Sequence, residues 1–170
     1  MLQDIIKSKT RINLLVKFFT NIDNFGHLSS LASEFNESTN SVRKELNNLT
    51  KAKILKKKIQ KNKVIYSANQ NHPLFNNIQK LIFNHLGIEH LIERIIENIG
   101  DIKKVFLVGD YAKGIDSGTI EVIIKGNNLD INYLKNLERK IEKKINRKVI
   151  IYASNSNYDK GLLIFDFQDQ

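Results

Sequence analysis

Thr39-Asn40-Ser41-Val42-Arg43-Lys44-Glu45-Leu46-Asn47-Asn48-Leu49-Thr50-Lys51-Ala52-Lys53-Ile54-Leu55-Lys56-Lys57-Lys58-Ile59-Gln60-Lys61-Asn62-Lys63 changes its period part-way along. Val42, Leu46 and Leu49 recur at i, i+4 and i+7, the spacing of a helix with one buried stripe. Ser38-Thr39-Asn40-Ser41 supplies capping residues ahead of it. Ile54–Gln60 and Lys63–Ser67 then read as two strands around a Lys61-Asn62 turn. Ile54, Ile59, Val64 and Tyr66 are expected to cover the core while the lysines project outward.

The polar face of that helix carries Asn40, Ser41, Arg43, Lys44, Asn47, Asn48 and Lys51, with Thr39 at its start and only Glu45 opposing them. Such side chains donate hydrogen bonds and are long enough to reach base edges and phosphates. From Arg43 to Lys63 there are 9 Lys/Arg and a single acid.

Upstream, Ile12, Leu15, Phe18 and Phe19 mark an earlier helix with one buried stripe, ended by the turn residues Asn21–Asn24 and Gly26. A short helix with Leu28, Leu31, Ala32 and Phe35 on one face follows, with Ser29 or Ser30 expected as its N-cap. Two short helices joined by a tight turn form a helix-turn-helix unit. The hairpin behind it has the character of a wing, with Lys57, Lys58, Lys61 and Lys63 placed to neutralise phosphates.

The charge distribution agrees with this reading. Residues 1–70 hold 13 Lys/Arg against 5 Asp/Glu, whereas residues 71–170 hold 14 against 13. A basic half beside a nearly neutral one implies a polyanionic partner for the first. A genome-wide lysine bias would have raised both halves.

From Arg11 to Gln70 the chain resembles winged-helix bacterial regulators of the ArsR type. Leu31-Ala32, Val42-Arg43-Lys44-Glu45-Leu46-Asn47-Asn48-Leu49 and Ala52-Lys53-Ile54-Leu55 follow that family's run "L-A…V-R-R-E-L-N-R-L…A-G-I-L". The resemblance implies a homodimer on duplex DNA.

His72-Pro73 opens a helix by placing proline near its first position. Two apolar stripes follow: Leu74, Phe75, Ile78, Leu81, Ile82 and Leu86 up to Gly87, then Leu91, Ile92, Ile95, Ile96 and Ile99 up to Gly100. Between Pro73 and Ile99 these helices are either core or the dimer interface. His85 and His90 have no third ligand at metal spacing.

Beyond Lys103, the apolar runs Val105–Val108, Ile120–Ile124 and Val149–Tyr152 suit buried strands. A helix with Tyr133, Leu134, Leu137, Ile141 and Ile145 inward separates the last two, and Leu162–Phe167 reads as a further strand or docked tail. The expected fold class is α+β: an N-terminal winged helix-turn-helix over 1–70, a helical connector over 71–100 and a small α/β nucleotidyltransferase-like domain over 101–170.

That last designation rests on the loop from Val108 to Val122. It is similar to the signature of minimal nucleotidyltransferases of the DNA polymerase beta superfamily, where a strand ends in Gly-Ser, "x-A-R-G" follows, and "S-D-I-D-L" opens the next strand. The resemblance implies that Gly-Ser approaches nucleotide phosphates and that two Asp on alternate strand residues hold two Mg²⁺. Here Gly109, Ala112, Lys113 and Gly114 remain, but Asp110 replaces the Ser, Thr119 the first Asp and Glu121 the second. No carboxylate lies within Val149–Tyr152 to complete the set. The expected outcome is a fold retained without its catalysis: no cofactor, no metal, and a degenerate loop (Gly109, Asp110, Lys113, Thr119, Glu121) whose ligand is open. The alternative is a transferase using Glu121 and Asp116 as makeshift metal ligands.

With 41% hydrophobic and 26% charged residues, the 170-residue chain can bury a substantial core. It has no apolar run long enough to cross a membrane and no signal-peptide h-region at Met1–Lys7. Without cysteine it has neither disulfides nor a thiolate metal site, which points to a reducing cytoplasm.

Overall fold

The computed structural model describes residues 2–98, 101–154 and 161–166. The chain divides into two units, Met1–His85 and Leu86–Gln170. Helices and strands occur in both, so the fold is α+β. Ile99, Gly100 and Phe167, and the side chain of Ile96, lie outside the described residues.

In the first unit a short helix α1 (Leu2–Ile5) precedes α2 (Lys9–Thr20), which is capped by the Ser8 hydroxyl accepting from the Arg11 amide at 3.2 Å. Ile12, Leu14, Leu15, Val16, Phe18 and Phe19 are all buried. Burial on nearly every side makes α2 the centre of this core, where the sequence indicated one stripe. Each such side chain contributes roughly 1.5–3 kcal/mol on leaving water. The signal for a single stripe failed because neighbouring elements close over the other faces.

A two-residue strand β1 (Phe25–Gly26) follows, where the sequence showed only a turn. Two residues carry no period. The strand exists because Tyr66 and Ser67 of a later strand offer their edge to it. Helix α3 (Leu28–Phe35) is capped by His27, not by Ser29 or Ser30: the His27 Nδ1 accepts from the Ser30 amide at 3.2 Å, and Ser30 Oγ accepts from the His27 amide at 3.2 Å. Asn36 adopts a left-handed conformation (φ 52°) and turns the chain, a geometry asparagine tolerates better than most residues.

Ser38 then caps α4 (Thr39–Lys51) through the Ser41 amide at 3.1 Å. Val42, Leu46 and Leu49 are buried as their spacing required. The helix closes in a Schellman motif, with the Ile54 amide donating to Leu49 O at 3.0 Å and the Lys53 amide to Thr50 O at 2.9 Å. Lys53 therefore takes φ 58°, at the position where the resembling family has glycine.

Strands β2 (Leu55–Gln60) and β3 (Lys63–Ala68) pair antiparallel, completing a sheet of order β1-β3-β2. Lys61 and Asn62 both have positive φ (47° and 60°), the mark of a type I′ turn whose twist matches the strands. Helix α5 (Phe75–Leu86) starts two residues past Pro73 and packs on this unit. The Phe75 ring lies 5.4 Å from that of Phe19, and Gln79 Nε2 donates to Phe19 O at 3.2 Å.

Near the start of the second unit Gly87 has a φ of 80°, and a Cβ there would stand 2.9 Å from Ile145 Cβ. Helix α6 (Ile88–Asn98) buries Ile88, Leu91 and Ile95 completely within this unit. The stretch expected to be a separate connector is thus divided: α5 belongs to one core and α6 to the other. Burial of Leu91 and Ile95 takes these two residues of the second stripe out of the expected dimer interface.

Strand β4 (Asp101–Val108), a one-turn helix α7 (Gly109–Ala112), strand β5 (Thr119–Asn127), helix α8 (Ile131–Ile145), and strands β6 (Lys148–Ser154) and β7 (Leu162–Asp166) complete the unit. The sheet runs β6-β5-β4-β7, parallel only between β5 and β6, which α8 connects. The amide of Ile151 donates to Glu138 Oε1 at 2.6 Å and that of Val149 to Glu142 Oε1 at 2.9 Å. Two acids of α8 thereby occupy the amides of an edge strand, which blunts it against pairing with other chains.

Candidate nucleic-acid interface

Helix α4 positions the first set of residues. Because Val42, Leu46 and Leu49 are driven inward, the opposite positions face water, and Thr39, Asn40, Ser41, Arg43, Lys44, Asn47, Asn48 and Lys51 are all exposed. Arg43 Nη1 donates to Asn40 Oδ1 at 2.9 Å, so these two side chains lie together on one turn of that face.

Glu45 does not oppose them. It is 7% exposed, accepting from Arg11 Nε at 2.8 Å and from Ser8 Oγ at 2.9 Å. Burial by itself would raise the Glu45 pKa, but the hydrogen bonds from Arg11 and Ser8 prevail and hold it below the usual carboxylate value. The one acid of this stretch is turned away from the outer face and fastens α4 to the start of α2. The signal was present in the sequence: position 45 lies three residues after Val42 and four before Leu49, within the buried stripe. Arg11 and Ser8, which sequence reasoning did not connect to this face, set its charge.

The hairpin supplies the second set. Lys56, Lys57, Lys58, Lys61 and Lys63 are exposed. Paired residues share a face, so Leu55, Ala68 and Tyr66 form the inward side together with Lys57, Ile59 and Val64 nearer the tip. Leu55 (2%), Ala68 (1%) and Tyr66 (9%) are buried, but Ile59 is 81% and Val64 39% exposed. Expected core positions Ile59 and Val64 therefore lie on the tip instead, because the hairpin extends beyond the helices that would cover them. Lys56 and Lys58 flank a cleft of about 610 Å³ that also takes in Phe25 and Asp23.

In the second unit, Gly109 has a φ of 65°, and a Cβ there would meet Glu121 Oε2 at 2.1 Å. Glu121 Oε1 accepts from the Tyr152 hydroxyl at 3.1 Å, and this bond raises the Tyr152 pKa. Asp110 lies 3.8 Å from Lys113 Nζ. Asp116 is bound at both oxygens: Arg147 Nη2 donates to Oδ2 at 2.9 Å, and the Tyr111 hydroxyl donates to Oδ1. Arg147 Nε also donates to the Tyr111 hydroxyl oxygen at 2.9 Å. Burial opposes charge on both Asp116 and Arg147, yet their mutual bonds hold the Asp116 pKa low and the Arg147 pKa high. Burial and Asp116 push the Tyr111 phenol upward.

These residues do not fit a pair of Mg²⁺ ions. Thr119 has no carboxylate, Asp116 is engaged by Arg147, and Glu121 is held by Tyr152 against Gly109. Among the described residues no cluster of three His, Asp or Glu side chains is placed to share an ion.

No helix among the described residues is long and apolar enough to cross a membrane. No family model and no curated protein matches the chain. Among solved structures it is similar to the crystal structure of the AntR antimony-specific transcriptional repressor, at 16% identity and a TM-score of 0.35, over 55% of this chain and 73% of that one. A likeness this loose fixes neither fold nor function.

Proposed function

We propose that the first unit is a winged helix-turn-helix that binds duplex DNA, with α4 as the recognition helix and the β2–β3 hairpin as the wing. One observation carries the reading: the exposed face of α4 is cationic and amide-rich without an acid, because Glu45 is drawn inward by Arg11 and Ser8. Arg43, Lys44, Asn47 and Asn48 would address base edges, while Lys51 and the wing lysines Lys57, Lys58, Lys61 and Lys63 would neutralise phosphates. Function as a transcriptional regulator follows from sequence-specific binding of this kind. A homodimer fits the apolar residues Leu74, in the turn before α5, and Leu81 on α5, still exposed at 55% and 38%.

The second unit is read as a nucleotidyltransferase-like domain without transferase activity, serving dimerisation or ligand sensing. Strand, one-turn helix at Gly109, antiparallel strand, helix and parallel strand support the resemblance, while Thr119 and the engaged Asp116 argue against metal-dependent transfer.

Fluorescence anisotropy with a labelled duplex tests the DNA reading. Salt-dependent binding is expected, weakened about tenfold or more by Arg43→Ala with Lys44→Ala. Unchanged affinity in that double variant overturns the assignment of α4.

A further inference from the structure

On the outward side of the β1-β3-β2 sheet, Phe25 pairs with Ser67 and Ser67 with Lys56, so the three stand in one row across the strands. Lys58 lies two residues beyond Lys56, on the same side. The row spans about 10 Å, since neighbouring strands lie ~4.8 Å apart. Ser67 is small, which leaves a gap between the ring at one end and the ammonium at the other. The cleft of about 610 Å³ sits here, and Asp23 and Lys57 also line it. Its far wall is a pinned loop: the Asp23 amide donates to Asn21 Oδ1 at 3.0 Å, the Asn24 amide to Asn21 O at 3.1 Å, and Asn24 Nδ2 to Lys17 O at 2.7 Å.

A solitary exposed apolar residue is ordinary. Phe25 differs in where it stands, 67% exposed in a concavity beside three lysines. Among the described residues no ion pair engages Lys56, Lys57, Lys58 or the Asp23 carboxylate. Such cations attract phosphate, and an open aromatic face stacks a planar base. Phosphate alone would leave the ring unused, and an apolar ligand would leave the lysines unused. A nucleotide engages both, because its sugar separates base from phosphate across the gap over Ser67. The cleft also falls within the ~300–1,000 Å³ of small-molecule sites.

We infer that this cleft binds a nucleoside phosphate, its base stacked on Phe25 and its phosphate paired with Lys56 and Lys58. Asp23 accepts from an N–H of the base or a hydroxyl of the sugar. A free nucleotide and one residue of a single strand present the same chemistry. The inference goes beyond the duplex reading and does not rest on it: Lys58 is common to both, but Phe25, Asp23 and Lys56 have no part in that reading.

The sequence has no tryptophan, so Phe25→Trp places a single fluorophore at the site of the full chain. Titration with AMP or with a short single-stranded oligodeoxyadenylate is expected to quench it. Quenching by AMP identifies a free nucleotide and quenching by the oligonucleotide alone identifies a strand; either outcome meets the inference. Inorganic phosphate and adenosine each lack half of the recognised chemistry and should bind at least about tenfold more weakly. Calorimetry on the chain with Phe25 in place should show the better ligand weakened about tenfold by Phe25→Ala, the size of a lost base–aromatic stack. Lys56→Gln with Lys58→Gln should weaken it about tenfold for each lost charge-assisted hydrogen bond. These side chains are exposed, so the variants keep the core intact. Lys61→Gln with Lys63→Gln, at the turn of the same hairpin, and Arg43→Ala with Lys44→Ala on α4 should leave AMP binding unchanged. Absence of quenching by both ligands overturns the site. So does undiminished binding in Phe25→Ala, phosphate or adenosine binding as tightly as AMP, or an equal loss in the Lys61 and Lys63 variant.

Discussion

Replacing Glu45 by glutamine keeps the shape of the side chain and deletes its charge, which isolates the link between α2 and α4. Hydrogen bonds to a charged group contribute roughly 1.5–3 kcal/mol each. The Arg11 side chain is 39% exposed and regains water when its partner is lost, so its share falls at the low end. The Ser8 bond survives in weaker, neutral form. Glu45→Gln should therefore cost about 1–2 kcal/mol. Glu45→Ala, which also leaves a cavity and an unpaired Ser8, should cost roughly 2–4 kcal/mol. Urea unfolding followed by hydrogen exchange at the α4 amides reads this directly, and a cycle with Arg11→Met should give a coupling of about 1–2 kcal/mol. The pH dependence has a definite sign. The folded pKa of Glu45 lies below its ordinary value of 4.5, so its contribution is complete above that value and is lost as pH falls through the lowered one. The gap between wild type and Glu45→Gln should close on acidification. A coupling below about 0.3 kcal/mol, or a gap that widens as the pH falls below 4.5, would refute the reasoning.

Lys53 pays a left-handed penalty at φ 58°, so Lys53→Gly should stabilise by about 0.5–1 kcal/mol while Lys53→Ala should not; a thermal melt in which the two behave alike contradicts this. Tyr111→Phe, at a fully buried position, removes the hydroxyl that joins Asp116 to Arg147 and should cost about 1–2 kcal/mol, measured by urea unfolding of the second unit. If the wing contacts phosphate, Lys61→Ala should lower the slope of log K against log salt by about 0.9, and a slope identical to wild type would take Lys61 off the DNA.

Local chemistry made some of this protein legible from its sequence. The period of Val42, Leu46 and Leu49 determined α4, and alternation around Lys61-Asn62 determined the hairpin, because both patterns act within a few residues. The run of exposed cations and amides on α4 followed from the same stripe. Tertiary structure decided what the local patterns could not. Phe25-Gly26 became a strand only because Tyr66 and Ser67 stand beside it, some forty residues along the chain. Ile59 and Val64 were apolar on the correct face but lay beyond the reach of the core. Glu45 looked like an acid among the recognition residues until Arg11 and Ser8, distant in sequence, supplied the partners that make its burial favourable. A charge leaves water only where partners await it, and that placement is a property of the folded chain.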